Sequence, residues 1–190
     1  GTGFIEELGV GDGHGFAANV PLEARTGDDS FLAAFDAVVP GLADAFRPDI
    51  IVLQTGCDAH AADPLTHLRC TTSLFEQLVR RVVRIAEKHC GGRIVATGGG
   101  GYAIHSVVPR AWTLTWAALC GERAPDAIPD AWLDMVRAEA GVDPPRTLRD
   151  PPGAVVPDLD RDEIERANDL TARALNQRIL PLLTGWGLAF

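Results

Sequence analysis

Residues able to do chemistry concentrate in two short stretches of this chain. The first, TGCDAHAADPLTHLRC, places Asp58, His60, Asp63 and His67 within a single polar segment. Carboxylates and imidazoles are ligand types that zinc takes, and they are also common in turns. Asp63 precedes Pro64 and follows two alanines, so its carboxylate leaves a restricted and uncrowded backbone. That placement suits a metal ligand or an ordinary turn aspartate, with His60 and His67 able to supplement the former and Asp58 as the second candidate carboxylate. The second stretch is Gly98-Gly99-Gly100-Gly101-Tyr102. Each glycine costs of the order of 1 kcal/mol relative to alanine in regular structure. Such a run fits where the backbone needs positive φ or another group approaches closely. A tight strand-to-helix turn would explain it, and so would a nucleotide-binding G-x-G-x-x-G/A pattern with Gly98, Gly100 and Ala103. His14, His89 and His105 are isolated and carry no comparable reading.

Both stretches directly follow short β-branched runs. Asp49–Gln54 (DIIVLQ) reads as a strand buried on both faces, and Ile94–Thr97 as a second. A helix from Asp28 or Asp29 through Phe46 precedes the first strand, with Pro40 expected to kink or break it. Thr71 or Thr72 caps a helix through about Lys88, which Cys90-Gly91-Gly92 ends. A further helix follows Tyr102 and runs to about Cys120. Later helical patches cover 130–139 and 161–177, joined by the proline-rich DPPRTLRDPPGAVVP. Phe16–Val20 could be a short strand, and 1–15 reads as a glycine-rich exposed loop. Strand and helix in alternation imply an α/β fold with parallel strands. Ligands in such sheets bind beyond the carboxyl ends of the strands, which puts both stretches on one edge.

Composition narrows the function classes. A formal net charge of −9 argues against a general nucleic-acid-binding surface, which needs clustered Lys and Arg. No apolar run reaches membrane-spanning length. Cys57, Cys70, Cys90 and Cys120 form no CxxC pair, so a reducing cytoplasm is expected rather than a disulfide framework. The start at Gly1, without an initiator methionine, reads as a processed product or a fragment.

The stretches GTGFIEELGVGDGHGFAANVPL, RPDIIVLQTGCDAHAADPLTHL and GGGGYAIHSVVPRAWTLTWAAL resemble, in order and spacing, the histone deacetylase superfamily and its bacterial acetoin utilization branch. The resemblance covers about 1–121. It implies the C-terminal part of an arginase/deacetylase-type fold, a parallel sheet flanked by helices, with 122–190 a helical extension packed on the same domain. It also implies a zinc-dependent deacetylase acting on acetyl-lysine or a small acetylated amine. By that resemblance Asp63 is a zinc ligand, Tyr102 is the catalytic donor to the acyl oxygen, and Gly100, Gly101 and Cys70 adjoin the acyl-lysine tunnel. Relatives commonly place a leucine where Cys70 stands. The family's adjacent histidine pair and its D-x-H ligand motif have no counterpart here; Asp58-Ala59-His60 does not match the latter. The partner implied is therefore the N-terminal half of the catalytic domain, and the isolated chain is expected to be inactive. A nucleotide-binding module and a non-catalytic deacetylase-like interaction domain are the competing expectations.

Overall fold

The computed structural model describes residues 2–155 and 160–186. After a 3-10 turn at Gly11–Gly13 the elements are α1 (Asp28–Phe46), β1 (Ile51–Thr55), α2 (Thr72–Cys90), β2 (Ile94–Gly98), α3 (Val108–Leu119), α4 (Asp130–Ala140) and α5 (Arg161–Trp186). The two strands pair in parallel, in register from Ile51 with Ile94 to Thr55 with Gly98, and α2 connects them. This is the expected α/β arrangement.

Helix boundaries follow local chemistry. Thr71 caps α2, its hydroxyl accepting from the Ser73 amide, and Gly91 closes the helix at φ 60°. At α1 the cap is Gly27 instead of an aspartate. Asp28 is engaged elsewhere: its carboxylate accepts from the Thr71 amide at 2.7 Å and the Thr71 hydroxyl at 2.6 Å, tying the starts of α1 and α2 together. Pro40 does not break α1, and Pro181 lies inside α5, which outruns its expected end at 177. A proline inside a helix costs about 3 kcal/mol. Burying one Ile or Leu side chain returns about 1.5–3 kcal/mol. Ile179, Leu182 and Leu183 continue the apolar stripe of α5 onto Leu8, Val38 and Leu42, so burial outweighs the proline.

Two cores result. Helices α1 and α5 pack together around Val38, Ala172, Leu175 and Ile179. Helices α2 and α3 pack around Leu74, Phe75, Val107 and Ala111, with Cys57 and Cys70 in the same cluster. Asn168 of α5 is 1% exposed and fully bonded: its amide donates to the Thr26 and Ser30 hydroxyls, and its oxygen accepts from the Glu23 amide.

Two expectations need correction. Phe16–Val20 forms no strand; the Phe16 ring instead packs edge-on against Phe46 at 6.0 Å. The strands are also not buried on both faces. Ile51 and Leu53 face an apolar groove shared with α1, α2 and α5, but Val52 is 71% and Val95 49% exposed on the opposite face. With only two strands among the described residues, each has an unpaired edge, and no helix covers that second face.

Candidate functional site

The loops after β1 and β2 meet directly. The Cys57 amide donates to the Gly100 carbonyl at 2.7 Å, continuing the strand pairing past Thr55 and Gly98. The Tyr102 amide then donates to Oδ2 of Asp63 at 2.8 Å. The other carboxylate oxygen, Oδ1, accepts from the Leu65 amide at 2.9 Å. Asp63 is thus a turn residue whose carboxylate bonds two residues on, and it also joins the two loops. It is 7% exposed. Each of its oxygens has one amide donor and keeps further lone-pair capacity. Tyr102 is half exposed, so its amide is fixed while its ring stands at the surface.

The glycines owe their identity to this junction. A Cβ on Gly99 would lie 2.6 Å from the Gly56 nitrogen and 2.8 Å from its Cα, both rigid backbone. On Gly100 it would meet the Asp58 carboxylate at 2.1 Å, and on Gly101, at φ +143°, the Cys57 sulfur at 2.4 Å. The run is glycine because one loop lies flat against the other. The nucleotide pattern is not satisfied: α3 begins only at Val108, so Ala103 is not inside a helix, and the Asp58 carboxylate beside Gly100 would repel a phosphate. Trp112 of α3 closes the strand ends, donating from Nε1 to the Thr55 carbonyl at 3.0 Å with its ring against Gly98.

The histidines do not gather around Asp63. His60 is buried; its Nδ1 accepts from the Ala62 amide at 3.0 Å, so the ring proton belongs on Nε2, which donates to Asp150 at 2.9 Å. Both ring nitrogens are committed, and His60 cannot also serve Asp63. His67 is exposed, and its carbonyl accepts from the Arg25 amide. Among the described residues no three His, Cys, Asp or Glu side chains are grouped to hold a metal ion. The Asp63 carboxylate is of a type that could hold a metal as one anionic ligand, and no second and third candidate ligand is grouped with it among the described residues.

Cys70 departs from its expected position. It is 0% exposed, packs in the α2–α3 core and donates its thiol to the Thr26 carbonyl, so it presents no surface to a tunnel rim. Burial drives its pKa far above the ordinary thiol value, with the Asp28 charge adding to it. Cys57, under Gly101, is pushed up to about 11 by burial and then by Asp58 and Asp63. Neither thiol is a nucleophile at neutral pH.

Sequence reasoning missed Asp150 and Arg110. Burial alone would raise the Asp150 pKa, but hydrogen bonds from His60, the Thr72 amide and Arg110 outweigh it and hold the carboxyl well below the usual range. Asp150 lies in a proline-rich connection and Arg110 on a helix, 40 residues apart, and no local pattern links them.

A family model described as Histone deacetylase domain matches residues 1–119. The acetoin utilization protein AcuC of Bacillus subtilis is 41% identical over 171 residues, which is 90% of this chain and 44% of that protein. A probable deacetylase of Archaeoglobus fulgidus is 39% identical over 109 residues, 57% of this chain and 30% of its own length. A crystal structure of an HDAC homolog complexed with SAHA superposes with a TM-score of 0.67 at 26% identity, covering 90% of this chain and 46% of its own. This chain therefore spans less than half the length of these relatives.

Proposed function

Since the chain belongs to the histone deacetylase family, we propose that it forms the C-terminal portion of a zinc-dependent deacetylase hydrolysing the acetyl-amide of a lysine or a small amine. The complete protein would comprise this chain and a segment equivalent to the remainder of its relatives, in the same polypeptide or as a separate one. The open sheet supports that partner: Val52 and Val95 are apolar and exposed, and parallel strands are almost always covered on both faces. All four cysteines are free, which supports a cytoplasmic setting. No helix among the described residues is long and apolar enough to cross a membrane. The net charge of −9 gives no support to direct nucleic-acid binding.

The observation that carries this reading is the bond between the Tyr102 amide and Asp63. It brings together a buried carboxylate with spare lone pairs and an exposed phenol, from opposite sides of the loop junction. Asp63 would be one zinc ligand. Bound zinc would supply Lewis acidity and a water of lowered pKa. Tyr102 would donate its hydroxyl proton in a hydrogen bond to the acyl oxygen as negative charge grows there. Gly100 and Gly101, flat against Asp58 and Cys57, would keep the backbone beside Tyr102 low enough for the acyl chain to pass. His60, committed to Asp150, would take no part in proton transfer.

Metal analysis and turnover of an acetyl-lysine peptide by the complete protein test this. Asp63→Asn should lose both zinc and activity, whereas Asp58→Asn should retain zinc. Zinc retained by the first variant and lost by the second would move the ligand to Asp58.

A further inference from the structure

Asp150 lies between α4 and α5, beyond the span matched by the family model, yet its carboxylate reaches three elements around the junction. Oδ2 accepts from His60 Nε2 at 2.9 Å and from the Thr72 amide at 2.8 Å, in the first turn of α2. Oδ1 accepts from Arg110 of α3 at 2.7 Å, and the Asp150 amide donates to the Thr72 hydroxyl at 2.9 Å. Arg110 is 2% exposed and spends its other donors on the Thr147 and Ser106 carbonyls. A buried guanidinium that loses its carboxylate is strongly destabilising, so Asp150 has little freedom to move.

The consequence runs through His60. Its ring accepts from the Ala62 amide and its carbonyl accepts from the Asp63 amide at 2.9 Å. Its backbone pairs with Cys70, which closes the loop. Fixing the imidazole therefore fixes the backbone on both sides of Ala61, up to the residue whose carboxylate bonds Leu65 and Tyr102. We propose that Asp150 is the positioning residue of this site, holding the Asp63 carboxylate in register with the Tyr102 loop through His60. The proposal rests on the reading of Asp63 and Tyr102 as site residues. It assigns to the connection after α4 a role that its proline-rich sequence does not suggest.

A purely structural strut would weaken the whole domain evenly, whereas a positioning residue loosens the junction beyond any general loss of stability. The test is hydrogen exchange and steady-state kinetics on the complete protein. Asp150→Asn should speed exchange of the Leu65 and Tyr102 amides about tenfold relative to those of Leu175 and Ile179 in α5. Turnover of an acetyl-lysine peptide should fall about tenfold, the lower end of what loss of an outer partner of a metal ligand costs, with KM little changed. Unchanged exchange at Leu65 and Tyr102, or equal acceleration at all four amides, overturns the proposal. If Asp150→Asn does not fold, His60→Gln and His60→Leu decide. Gln keeps a donor for Asp150 and should leave both amides protected, while Leu should expose them; equal behaviour of the pair overturns the proposal. A wild-type protein without deacetylase activity would defeat the functional reading alone, since exchange still reports on the loop.

Discussion

The loop from Cys57 to Cys70 folds back on itself: across its base the Ala61 amide donates to the Cys70 carbonyl and the Cys70 amide to the Ala59 carbonyl, and the Thr66 hydroxyl donates to the Asp58 carbonyl. His60 and Asp63 are buried within it. The loop from Gly98 to Tyr102 has no such internal scaffold; it lies on Gly56, Cys57 and Asp58 and is bonded to its neighbour through Gly100 and the Tyr102 amide. One loop is held by side chains, and the other by their absence. The first can present a carboxylate at a fixed point, as a metal ligand requires. The second copies its shape from the first and presents an exposed ring. Disturbing the first should displace both, and trimming the Tyr102 side chain should displace neither.

The largest effect is expected at that ring. Tyr102→Phe removes a hydroxyl and leaves the backbone bond to Asp63 in place. In the complete protein kcat should fall by about 10²–10³, or about 3–4 kcal/mol, as for loss of an oxyanion donor. KM and zinc content should stay near wild type. Steady-state kinetics with metal analysis of the same samples checks this, and activity within a factor of a few would remove Tyr102 from the mechanism.

Next in size is the contrast within the glycine run. Gly99→Ala drives a methyl into the Gly56 backbone, which cannot move without opening the junction, and should cost about 1–3 kcal/mol of stability. Gly100→Ala meets only the far end of the Asp58 side chain, which can rotate away, and should cost less. Thermal unfolding of both variants sharpens the comparison. Equal loss would mean that the loops are not in backbone contact.

A smaller effect is expected in acid. The folded pKa of Asp150 lies below its ordinary value of about 4, so the folded state binds this proton less readily than the unfolded state. Its contribution is fully present above that ordinary value and is lost as pH falls toward the folded pKa. Glu76 is lowered as well: burial opposes the shift, but Arg149 and Arg80 outweigh it. The wild-type melting temperature should therefore fall below about pH 4, and the fall should be shallower in Asp150→Asn. Parallel curves for the two proteins would show that Asp150 is not the group being titrated.

How much of this was legible in the sequence depended on how local the cause was. Helices α1 to α4 and both strands announce themselves through periodicity, the Thr71 cap and Gly91. That the loops carrying Asp63 and Tyr102 share one edge followed from the parallel strands, but the bond between them did not. The inward turn of His60 was not legible, because its partner stands 90 residues away on a proline-rich connection. The same holds for Cys70, whose burial is set by α1 and α2 closing over it. The glycine run was recognisable as special, but the reason, contact with Gly56 and its neighbours, exists only once both loops are folded.

The smallest effect is expected from thiol modification, and it tests whether the junction stays closed. Cys120 is exposed, whereas Cys57, Cys70 and Cys90 are buried. Cys57 sits between the loops with its sulfur under Gly101, and its pKa of about 11 leaves almost no thiolate at neutral pH. Alkylation of the complete native protein should therefore label Cys120 rapidly and leave Cys57 unmodified until the loops part. Activity should not change on labelling Cys120, which follows the last residue of α3, the end opposite Val108 beside Gly101. Mass mapping of the labelled residues over time gives the answer. If Cys57 is labelled as fast as Cys120 without unfolding, the loops open in the native state. The contact that makes the second loop copy the first would then be transient, and a fixed distance between Asp63 and Tyr102 could not be sustained.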